Sequence, residues 1–281
     1  MYFEPELAAW LAARHRDGAA FLRDALARVP ECSTDVLLTA FRSFTQDHAG
    51  RPLTNPTSLI AEGVTERLLT SPSTSWLPTM GTGWIGPRRC ITMIANTDYS
   101  SPGLFAEACR LLRPKLVLSI GLGNATIIET AASNRIQSGK PVFDASGARI
   151  DSMKLLSPLL SNDEPLNRTL PLPWEPRASR IQSMIRTRWN LNLPFGPVSL
   201  ATSARPENDY ICNATAWVFG RILTNPVDLP WIGSKNNPPD LVIPSLCYQK
   251  TSAGFVHFAP MAPGQDGYVQ AAITLLTDLA S

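Results

Sequence analysis

The chain has 281 residues, 44% of them hydrophobic, enough to bury the core of one large α/β domain or two small ones. Its formal net charge of +2, with basic residues spread along the chain, gives no reason to expect a nucleic-acid or anionic-membrane partner. No apolar run reaches the roughly 18 residues a membrane span needs, and the N-terminus, with Glu4 and Glu6, lacks the apolar core of a secretion signal.

Residues 5–29 place Leu7, Trp10, Leu11, Phe21, Leu22, Leu26 and Val29 at helical spacing, which predicts an amphipathic helix or helix pair with Gly18 as the break. A strand is expected over Val36–Thr39, a polar loop over 42–58 and a helix from Ser58 to Leu69. Ile91–Ile94 reads as a short strand, and Leu104–Leu112 as a helix followed by Pro114. Leu116–Ile120 is a nearly continuous apolar run, the mark of a buried parallel strand. The stretch 139–175 is loop-rich. Arg177–Trp189 is helical, its arginines forming one face. Strands are expected at Val198–Ala201, Leu241–Ile243 and Phe255–Phe258, and helices at Cys212–Leu223 and Val269–Leu279. Strands alternating with helices argue an α/β fold, a three-layer α/β/α arrangement with a mostly parallel central sheet. The domain boundary falls near Ser33: a helical extension over 1–33, then one domain over 34–281.

The cysteines are Cys32, Cys90, Cys109, Cys212 and Cys247, an odd number with no CxxC spacing. Neither a disulfide framework nor a zinc site is expected, and a cytoplasmic location is the simpler setting. Cys212 precedes a helical pattern that starts near Ala214. There the helix dipole and free N–H groups favour a thiolate and offer donors to an oxyanion. A small buried hydrophobe is the competing reading. Of the histidines, His15 sits beside Arg14 and Arg16 on a helix and His48 in a polar loop. His257 interrupts an apolar strand, where it is either a satisfied core histidine or a working one. Gly121-Leu122-Gly123 follows the apolar strand, but Thr126 occupies the third glycine position of a dinucleotide fingerprint. A tight turn close to some ligand is all it implies. Glu129 is the one carboxylate between Glu107 and Asp144.

These segments together resemble pyroglutamyl peptidase I, the pyrrolidone-carboxyl peptidases. Tyr210-Ile211-Cys212-Asn213 is similar to that family's nucleophile segment, and Ala253-Gly254-Phe255-Val256-His257 to its histidine segment. Leu37 through Phe44 looks like its N-terminal strand and turn, Asn55-Pro56-Thr57 like the Asn-Pro-Ser that follows, and Glu129 through Asn134 like the segment opening with its glutamate. The motifs occur in family order over about residues 34–281. An ungapped alignment puts Ala132 at the glutamate position; the Glu-x-x-Ala-x-Asn match favours Glu129. The departures are Asn208 for a glycine, Leu122 for a polar residue, no glycines after Phe44, an insertion around 224–245, and the 1–33 extension.

The resemblance implies Cys212 as nucleophile, His257 as base and Glu129 as the group that orients it, with no metal or cofactor. It implies Phe41 and Phe44 around a lactam ring, Asn55 near the substrate, and Arg135 near the oxyanion. The implied partner is a peptide with an N-terminal pyroglutamate, and self-association into a homo-oligomer is compatible with the family. Altered acyl specificity, a noncatalytic binding role and a nucleotide-dependent activity at Gly121 and Gly123 are the other readings.

Overall fold

The computed structural model describes residues 1–27, 29–30, 34–42, 55–70, 76–136, 159–161, 169–171, 173–190, 193–205, 211–234, 239–262 and 264–281. In chain order the elements are β1 (Tyr2–Phe3), α1 (Pro5–Leu26), β2 (Val36–Phe41), α2 (Pro56–Val64), β3 (Thr65–Leu68), β4 (Thr79–Ile85), β5 (Arg88–Ala95), α3 (Ser101–Leu112), β6 (Leu116–Leu122), β7 (Thr126–Glu129), β8 (Ala131–Ser133), β9 (Thr169–Pro171), α4 (Ala178–Arg188), β10 (Val198–Ala201), α5 (Ile211–Thr224), β11 (Leu229–Ser234), β12 (Leu241–Ile243), β13 (Ser252–Phe258) and α6 (Tyr268–Ala280).

The central sheet runs β10-β7-β13-β6-β2-β5-β4-β3. Its middle, β13-β6-β2-β5, is wholly parallel; β7 runs antiparallel to β13, and β4 to β5. Each middle strand buries both faces. Leu37, Val117 and Phe255 face α3 and α5, with α1 packed beside α3. Val36, Leu38, Leu118, Ile120 and Val256 face α2, α4 and α6. Two buried faces explain the continuous apolar run at 116–120. The expected three-layer α/β/α fold with a mostly parallel sheet is the observed one.

Chain order along this sheet reverses between β2 and β6, since β5 follows on one side of β2 and β13 on the far side of β6. The crevice at the carboxyl ends of strands at such a reversal is where open α/β sheets place ligands. Phe41 and Gly121 end up there, at the ends of β2 and β6.

Some expectations are corrected. The helix expected over Ser58–Leu69 ends at Val64, and 65–68 turns into the edge strand β3. Gly63 and the β-branched pair Val64-Thr65 weaken the helix. Gly83 then lets the chain pass so close that a Cβ there would lie 1.8 Å from the Val64 carbonyl oxygen. Gly18 does not break α1: it lies inside one 22-residue helix, and a Cβ there would meet the Leu104 side chain at 2.7 Å.

Described residues of the 1–33 and 224–245 stretches meet each other. β1 pairs in parallel with β11, and β11 pairs with β12, as a small second sheet. The Trp231 indole is fully buried between them, its Nε1 donating to the Tyr99 carbonyl at 2.8 Å, and its own carbonyl accepts from the Met1 nitrogen at 2.9 Å. Phe3, Leu7 and Leu11 join the same core as Phe255.

Candidate active site

His257 lies on β13 in register with Gly121 of β6, and side chains at 253, 255 and 257 share the face covered by α5. Glu129 of β7 stands opposite Phe255, which makes it the diagonal neighbour of His257 on that face. The pairing register therefore brings the carboxylate to the imidazole: Glu129 Oε1 is 3.3 Å from His257 Nδ1. Both side chains are almost wholly removed from solvent, at 2% and 7% exposure.

Cys212 arrives from the other layer. It sits in the first turn of α5, where backbone N–H groups have no intrahelical acceptor. Its thiol is only half-buried. Gly121 makes the space: a Cβ there would lie 2.5 Å from Cys212 Sγ and 2.8 Å from the Phe255 ring. Gly123 does the same for the histidine, since a Cβ there would approach His257 Cβ to 2.9 Å. The Gly-Leu-Gly run thus admits the thiol and the imidazole at the carboxyl ends of the central strands β6 and β13, a role the sequence did not disclose.

The electrostatics of the trio favour a charged imidazole. Burial opposes it, but the charges of Glu129 and Cys212 and hydrogen bonds to both side chains outweigh burial and push His257 up to about 10. Cys90 and Cys109, by contrast, are fully buried structural thiols; burial pushes Cys109 up to about 12 and Cys90 well above the usual thiol range. Among the described residues Cys90, Cys109, Cys212 and Cys247 are free.

The remaining sequence candidates are placed differently. Phe41 is buried, 2% exposed, with its ring edge-on to Phe105 at 5.5 Å. Asn55 caps α2, its Oδ1 accepting from the Thr57 N–H at 3.0 Å and its Nδ2 donating to the Phe41 and Arg42 carbonyls at 3.4 Å. It holds the β2 end and the α2 start together. The Arg135 side chain is exposed, and its carbonyl accepts from Asn213. Phe44, Asn208 and Tyr210 lie outside the described residues.

The sequence assigned no role to Thr126 or Asn213. Thr126 Oγ1 donates to the Phe195 carbonyl at 2.9 Å and accepts from the Ala259 N–H at 3.2 Å, which fixes the chain just beyond His257. A hydroxyl in the third glycine position was the available signal. Asn213 is buried and fully hydrogen-bonded.

No protein-family model and no curated sequence matches the chain. Solved structures do. Pyroglutamyl peptidase I of Bacillus amyloliquefaciens superposes with a TM-score of 0.50 at 16% identity, covering 87% of this chain and 96% of that one. Pyrrolidone carboxyl peptidase from Thermus thermophilus gives 0.46 at 18% identity, over 86% and 98%. A futalosine hydrolase mutant of Helicobacter pylori strain 26695 gives 0.46 at 7% identity, over 88% and 98%. At these identities the likeness is one of fold: a mixed α/β architecture whose large, mostly parallel sheet is flanked by helices. No helix among the described residues is long and apolar enough to cross a membrane.

Proposed function

We propose that the chain is a cysteine hydrolase that cleaves the amide bond after an N-terminal pyroglutamyl residue. The observation that carries the reading is the juxtaposition of Cys212, His257 and Glu129 around the side-chain-free surface of Gly121. Glu129 takes the Nδ1 side of the ring, leaving Nε2 for the thiol. With His257 held protonated beside the sulfur, the imidazolium is the acid that serves Cys212. The thiolate attacks the acyl carbon, the imidazolium protonates the departing amine, and water then releases pyroglutamate from the thioester. In this reading the N–H groups in the first turn of α5, which have no intrahelical acceptor, donate to the developing oxyanion. The likeness of fold to a pyroglutamyl peptidase supports the same assignment.

The burial of Phe41 favours one further reading: the same chemistry on a different acyl group. At 2% exposure, Phe41 does not present the open face a lactam sandwich needs. A fluorogenic pyroglutamyl amide tests the first reading. Turnover by wild type, lost in Cys212→Ala, is expected; equal turnover by both sinks it. A wild type inactive on this amide, yet acylated at Cys212 by other amides, establishes the second.

A further inference from the structure

We propose that Asn213 is a positioning residue, which holds the Cys212 thiol against His257 by tying the first turn of α5 to the strand that continues from Glu129. The inference rests on the reading of Cys212 as nucleophile.

Asn213 follows Cys212 in the chain, and its side chain is 1% exposed. Its Nδ2 donates to the Ser133 carbonyl at 3.0 Å and the Arg135 carbonyl at 2.6 Å, and its Oδ1 accepts from the Ser133 N–H at 2.9 Å. Both amide donors and the acceptor are engaged, so neither a carboxylate nor an apolar side chain of the same size reproduces the set. The gripped segment is short. It leaves β7 at Glu129, is pinned at Thr130, whose N–H donates to the Ala201 carbonyl at 3.0 Å, and runs through β8 to Arg135. One of its ends carries the carboxylate that faces His257. The other is clasped by the neighbour of Cys212.

This clasp answers a mechanical problem. Cys212 and His257 come from different layers, and the first turn of a helix is where its backbone is least held. The Asn213 side chain hydrogen-bonds that turn to the Glu129 segment. Loss of the clasp lets the sulfur drift from the imidazole. The consequence falls on the chemical step and on thiolate formation, not on substrate binding.

The test compares wild type, Asn213→Ala and Asn213→Asp as full chains. The readouts are kcat and KM on a pyroglutamyl amide, thermal unfolding, and the rate at which iodoacetamide alkylates Cys212, followed by peptide mass spectrometry. Asn213→Asp keeps the acceptor for the Ser133 N–H but offers the carbonyls no donor. It decides the matter if Asn213→Ala does not fold. The expected result for both is a kcat lower by about 30- to 100-fold with KM within about twofold, and alkylation at about pH 6.5 slowed by about tenfold. Variants that lose thermal stability but keep wild-type kcat, KM and alkylation overturn the proposal. If wild type leaves the amide intact but is alkylated rapidly, and the variants slowly, the substrate assignment fails and the positioning role stands. A wild-type Cys212 that is alkylated no faster than the exposed Cys247 overturns both.

Discussion

The sulfur of Cys212 lies directly over Gly121, so close that a single methyl group there would stand 2.5 Å from it. Gly121 is also the register partner of His257. One position in β6 therefore sets how near the thiol can come to the imidazole.

Gly121→Ala is the sharpest test of that relationship. The added methyl must displace the thiol or the Phe255 ring, both within 3 Å of where it would sit. Expected are a loss of activity on the order of 10²-fold and a stability loss of about 1–3 kcal/mol. Steady-state kinetics and urea unfolding measure them.

Glu129→Gln removes the carboxylate charge that raises His257. Of the charges that raise the ring, Cys212 is then left to oppose burial, and the pKa falls. In wild type the His257 proton resonances, assigned by their loss in His257→Gln, should not titrate near 6.5 but close to about 10. In Glu129→Gln they should titrate below that, with activity reduced.

The same shift carries a stability consequence. The native state holds the His257 proton more tightly than the unfolded chain, so this contribution is complete below about pH 6.5 and is lost as pH rises through about 10. Thermal unfolding of wild type should lose this increment across that window. Glu129→Gln should show a smaller loss.

Phe3→Ala tests whether residues 1–33 belong to the core. Phe3 is fully buried in β1 and packs on Tyr99 with ring centroids 5.6 Å apart. A cost of about 3–5 kcal/mol is expected, read by chemical denaturation. A surface appendage would show none.

Much of the fold could be read from the residues because the middle strands announce themselves. Leu116–Ile120 is apolar on both faces, and the helices at 104–112, 178–188 and 269–279 keep their period. What was hidden depends on pairing. β7 is four residues long, and only its register with β13 puts Glu129 beside His257. β11 contains Pro230 and sits in a proline-rich stretch, so its role as partner to β1 is visible only once the N-terminus is folded against it. Cys212 and His257 were legible as family-like segments. The reasons for Gly121, Gly123 and Asn213 were not, since each answers to a residue far away in the chain.

The central claim is that Cys212 becomes acylated. It is tested most directly by quenching wild type with acid during turnover of a pyroglutamyl amide and finding where the acyl group resides by peptide mass spectrometry. The expected result is a pyroglutamyl thioester on Cys212, absent from Cys90, Cys109 and Cys247 and absent in Cys212→Ala, which should also be inactive. Undiminished turnover by Cys212→Ala, or an acyl group carried by any other residue, would contradict it.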